Sequence, residues 1–149
     1  MNYWYYNRPK IKLQYVEKEH FMVTELFYLL LTVGLCGIMW IPIVIERVLR
    51  IGLAETIGSK PDEINVPSWA MRLRRSHRNL VDNIVLFGAL ILILNMVEKH
   101  SYTTELASLI FFYSRLVQAI THTFGIKWVR TISFVIGWLA TAVIFLALI

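Results

Sequence analysis

The sequence has one cysteine, Cys36, among 149 residues. A single cysteine forms no disulfide within its own chain and excludes a cysteine-built zinc cluster in one subunit. His20, His77, His100 and His122 lie in separate segments without metal-ligand spacing, so no metal site is expected. The chain carries no P-loop, no dinucleotide-binding glycine fingerprint, no HExxH helix and no nucleophile elbow. Charge is also scarce. The charged fraction is 17%, against about a quarter in an ordinary soluble domain. There is no internal repeat and no low-complexity tract. The length leaves room for one domain and none for a separate lid. The composition excludes a disordered chain and a disulfide scaffold.

What the sequence has in excess is apolar surface, with 57% hydrophobic residues. It is gathered into long runs. Leu26 to Ile45 and Thr131 to Ile149 contain no formal charge, and each meets the roughly 20 residues needed to cross a hydrocarbon layer. Asn83 to Val97 reaches that length if its helix starts near Met71. Leu106 to Ile126 reaches it with Arg115 inside. These runs predict an all-α integral membrane protein with four transmembrane helices, at about 21–48, 70–97, 103–124 and 128–149. The short connections make neighbouring helices antiparallel. The net charge of +5 points to a membrane surface rather than nucleic acid, because its cations flank the apolar runs. With the first loop in the cytoplasm, that side is the more basic, and both termini lie outside. Residues 1–20 form a basic, aromatic segment. Tyr3, Trp4, Tyr5 and Tyr6 suit a headgroup interface, or a docking arm for other membrane subunits.

Charge at membrane depth is costly, so polar residues inside spans should face protein or a wet cavity. At 100° per residue, Arg72, Arg75, Arg78, Asn79 and Asp82 share one face of the second helix. Arg115, Gln118 and His122 form a stripe on the third, and Arg130 opens the fourth. Turned toward one another, these stripes make a cleft near the cytoplasmic end. Its arginines, amides and single carboxylate suit a small polyanionic ligand, since guanidinium groups pair carboxylates in a bidentate way. An apolar second substrate could enter from the lipid side. The same residues would equally serve as an intramembrane network that only fixes helix register. Cys36, between Gly34 and Gly37, reads as a packing residue, and Pro42 as a kink in the first helix.

The segment RRSHRNLVDN resembles the second-helix signature of the MAPEG family, the membrane-associated proteins of eicosanoid and glutathione metabolism. That signature runs roughly Arg-Ala-His-x-Asn-x-x-Glu, and Arg75, Ser76, His77, Arg78, Asn79 and Asp82 stand in its place. SRLVQAITHTFGIKWVRTISFVIGW is similar to the family's third-to-fourth helix hairpin, through Gly125, Arg130 and Thr131. WIPIVIERV resembles the end of the first helix in bacterial members. The resemblance covers about Leu26 to Ile149. It implies a left-handed four-helix bundle assembled as a homotrimer, in a bacterial inner membrane or a eukaryotic organellar membrane. It implies glutathione as cosubstrate, bound between subunits by Arg75, Arg78, Asn79 and Asp82, with Gln118, His122 and Arg47 in support. Arg130 would stand beside the thiol, and the second substrate would be an apolar small molecule. Two positions depart from the pattern: Asp82 replaces the usual Glu, and His122 replaces the Tyr of many members. The family also holds non-catalytic members, so a lipid-binding protein or a structural subunit of a larger complex is the alternative. A small channel or transporter is disfavoured by the absence of paired broken helices.

Overall fold

The structure, a computed structural model, describes residues 22–58 and 65–149. The expectations for residues 1–20 therefore fall outside the described residues. The regular structure is entirely helical: α1 Thr24–Ile51, α2 Leu53–Ile57, α3 Ser68–Met96, α4 Tyr102–Phe124 and α5 Lys127–Leu148. The four long helices lie within three residues of the expected boundaries. The short α2 was not expected. Gly52, at φ 85, ends α1, and its carbonyl accepts from the Thr56 amide at 3.1 Å to begin the new turn.

Local chemistry explains the ends. Ser101 and Thr104 form a reciprocal capping box at the start of α4, each side-chain oxygen accepting from the other's backbone N–H. Gly125 closes α4 in the left-handed conformation, φ 82, which glycine adopts without steric penalty. Pro42 lies within α1 without ending it.

Among the described residues three helices are long and apolar enough to cross a membrane: α1, α3 and α5. In α4 the polar side chains Thr104, Ser108, Ser114, Arg115, Gln118 and Thr121 are all buried. Its outward face is Ile110, Tyr113, Val117 and Ile120. Leu30, Ile38, Val85, Leu86 and Leu146 likewise stand exposed on the other helices. A surface this apolar belongs in lipid rather than water.

The bundle has two apolar layers. In one, the rings of Phe87 and Phe111 stack with centroids 3.8 Å apart, among Ile91, Ala107, Ala140 and Ile144. In the other, Met39, Leu73, Leu80 and Ala119 pack together. Arg115 lies one helical turn from Phe111 and one from Ala119, so a polar layer separates the two. α5 meets α4 there through Ser133, Gly137 and Ala140, small residues that permit close approach. At the far end, Glu25 is fully buried and accepts from Thr104 Oγ1 at 2.7 Å. His100 Nδ1 is 3.3 Å from the same carboxylate oxygen.

Candidate functional site

The polar residues of α3, α4 and α5 converge at the end of the bundle remote from Glu25. Arg75 and Asn79 from α3, Gln118 and His122 from α4, and Arg130, Thr131 and Phe134 from α5 line a cleft of about 260 Å³. The α4–α5 turn is braced from α3. Arg72 Nε donates to the Thr123 carbonyl at 2.9 Å, one of the carbonyls that a helix end leaves without an intrahelical donor. Its guanidinium lies 3.6 Å from where a Cβ at Gly125 would sit. The braced turn leads into α5, which carries Arg130.

Beneath the cleft runs a chain of hydrogen bonds. Arg115 Nη1 donates to Gln118 Oε1 at 2.8 Å, and Gln118 Nε2 donates to Asn79 Oδ1 at 2.9 Å. Arg115 Nη2 donates to Asn83 Oδ1 at 3.0 Å, and Asn83 Nδ2 donates to the Asn79 carbonyl at 2.7 Å. Arg115 is 2% exposed. Its guanidinium lies 4.9 Å from the Phe111 ring centroid and 5.2 Å from that of Phe134. The charge is thus held by amide oxygens and ring faces.

The expected site residues do not all meet within one chain. Arg75, Asn79, Gln118, His122 and Arg130 share the cleft just described. Arg47 and Arg78 line a second one of about 360 Å³ on the α1 side of α3, with Trp40, Ile43, Arg74 and His77. Asp82 is exposed and lines neither. The reason is angular. The polar face of α3 is broad, and α1 packs on one flank while α4 and α5 pack on the other, so the stripe straddles two grooves.

Asn83, Phe134 and Glu46 went unread in the sequence. Asn83 carries a signal, since it follows Asn79 at i+4, as Gln118 follows Arg115 at i+3. Phe134 has no such signal, being one of many phenylalanines. Glu46 joins α1 to α3, with Arg50 Nε at 2.6 Å and Arg74 Nη2 at 3.3 Å. His77 Nε2 lies 3.4 Å from Cys36 Sγ, a second α1–α3 tie. The histidine thus faces α1. Among the described residues no cluster of His, Cys, Asp or Glu could hold a metal ion.

The cleft between α3, α4 and α5 gathers hydrogen-bond donors of the kind that anions accept from. Arg75 and Arg130 offer guanidinium donors, and two side-chain amides offer hydrogen bonds to a peptide. The donor set fits a small peptide carrying carboxylates. Comparison with curated proteins gives no match. The MAPEG family model matches residues 26–149, which span α1 to α5. The extent of that match, together with helices of membrane-crossing length, makes the chain a multi-pass integral membrane protein that belongs to the MAPEG family.

Proposed function

We propose that the protein is a glutathione-dependent membrane transferase or peroxidase acting on an apolar electrophile. The observation that carries this reading is the meeting of Arg75, Asn79, Gln118, His122 and Arg130 in one cleft at one end of the bundle. In this reading α4 is the fourth membrane span, because its polar residues are turned inward. Glutathione, as cosubstrate, supplies the nucleophilic sulfur. Arg75 pairs with a carboxylate, while Asn79 and Gln118 bond the peptide groups. Arg130 favours the sulfur anion over the thiol. Each pKa unit of lowering takes about 1.36 kcal/mol of differential stabilisation, and a free thiol starts near ~8.5. The lipid-facing wall admits the second substrate and keeps bulk water away.

The division of arginines between the two grooves favours a closed homotrimer. A ring uses heterologous contacts, in which one face of a subunit meets a different face of the next. The groove with Arg47 and Arg78 would then face the groove with Arg75 and Arg130 of a neighbouring copy, and glutathione would lie between them. The protein purified in detergent should melt at a higher temperature with glutathione, since a ligand bound only by the folded state stabilises it. Arg130→Ala should lose conjugation of a chromogenic electrophile. No thermal shift and no conjugation would reject the proposal.

One observation favours a second reading, a non-catalytic lipid-binding member or structural subunit. Asp82, in the place of the family's acidic residue, stands exposed and lines neither groove. Binding of a lipid without turnover of any electrophile would support that reading.

A further inference from the structure

Arg115 does not line the cleft, yet its hydrogen bonds reach it. A guanidinium has donors and no acceptor. Arg115 Nη1 therefore requires an oxygen from Gln118, and at 2.8 Å it has Oε1. With that oxygen turned inward, the Gln118 NH2 points to α3 and donates to Asn79 Oδ1 at 2.9 Å. The Asn79 oxygen is thereby engaged inside the protein, and its NH2 is left to the cleft. Asn83 repeats the rule: its oxygen accepts from Arg115 Nη2 at 3.0 Å and its NH2 donates to the Asn79 carbonyl at 2.7 Å. Both branches fan out from one guanidinium and both end on Asn79.

An asparagine amide is otherwise free to turn over, exchanging donor for acceptor with little change of shape. At the mouth of this cleft that exchange reverses the chemistry. An NH2 beside Arg75 and Arg130 adds a donor to a site for carboxylates and carbonyls. An oxygen there would face the same ligand oxygens and repel them. We propose that Arg115 is a positioning residue that sets the donor polarity of Asn79 through Gln118. It thereby commits the cleft to acceptor-rich, anionic peptides. This rests on the glutathione reading for the ligand, and on the hydrogen-bond directions for the relay.

Arg115→Met removes the donors while keeping an unbranched chain between Phe111 and Phe134. The substitution leaves Gln118 Oε1 and Asn83 Oδ1 without their donor, so some loss of stability accompanies it. The variant should melt lower than wild type and bind glutathione about ten- to a hundredfold more weakly, the scale of one hydrogen bond to a charged group, whereas Arg115→Lys should melt near wild type. Arg115→Lys keeps a side chain that only donates, and should restore affinity to within about threefold. Equal affinity in Arg115→Met and wild type overturns the relay. So does joint loss of melting temperature and binding in both variants, the mark of a structural role.

The relay also has a readout without ligand. In protein labelled with 15N in asparagine and glutamine side chains, Arg115→Met should shift the Asn79 and Gln118 NH2 resonances, and Arg115→Lys should leave them near their wild-type positions. Unmoved resonances in Arg115→Met overturn the relay. A wild-type protein that binds no glutathione, but whose amides shift in Arg115→Met, overturns the proposed function and upholds the relay.

Discussion

Gly137 of α5 lies against the guanidinium of Arg115 of α4, so close that a Cβ there would fall 3.0 Å from both Cζ and Nε of the arginine and 2.5 Å from Ser114 Oγ. The missing side chain is what lets a buried arginine pass between two packed helices. Gly137→Ala must push the arginine, the serine or the helix itself aside. Overpacking of this kind costs about 1–3 kcal/mol. Thermal denaturation in detergent should show a lower melting temperature, and glutathione binding should weaken with it, because the displaced arginine carries the Gln118 bond.

Arg130 enters the cleft from the first turn of α5 and is half-buried. Arg130→Ala should reduce turnover by about 10²–10³-fold, the usual effect of removing one electrostatic stabiliser of developing charge. The melting temperature should stay near wild type, since Arg130 makes no side-chain bond that joins helices among the described residues. Steady-state conjugation with a chromogenic electrophile checks the first statement, and a detergent melt the second.

Glu46 ties two arginines together near the end of α1. Its two oxygens take Arg50 and Arg74, and its side chain is only 6% exposed. Glu46→Ala leaves the arginines to find other partners and should cost about 1.5–3 kcal/mol, the value of a hydrogen bond to a charged group. Lower stability together with weaker binding of any ligand to the Arg47–Arg78 groove would mark the pair as the support of that groove.

At the opposite end, Thr104 both closes the capping box of α4 and donates to the buried Glu25 carboxylate. Thr104→Val removes both functions with little change of shape. The expected loss is about 1–3 kcal/mol, from a lost hydrogen bond to the buried carboxylate and the lost return half of the capping box, the Ser101 N–H to Thr104 Oγ1 bond. Glutathione affinity should be unchanged, because the site lies at the other end of the bundle. A fall in affinity without a fall in stability would contradict that separation.

The four long helices were legible because their cause is local. A backbone in lipid must satisfy its own polar groups, and runs of about 20 apolar residues have one way to do so. The capping box of α4 is equally local in cause, yet it went unread in the sequence. The site was legible as residue types on stripes: Arg75, Asn79, Gln118, His122 and Arg130 do meet. Which of several basic residues on α3 face which groove was not legible. Arg75 and Arg78 are three positions apart, yet they line different clefts. The outcome depends on where α1 and α5 lean against α3, a matter of packing rather than spacing.

The order of apolar and polar residues along the chain thus determined, by itself, where the long helices run and which of their faces carry guanidinium groups, since each follows from hydrogen bonding and desolvation within one segment. Only the tertiary structure decided that Arg115 is buried under Gly137, that Gln118 turns its oxygen inward, and that Asp82 is left outside. Those are relations between segments far apart in sequence, set by the volume each side chain fills and the direction in which each donor points once the helices have packed.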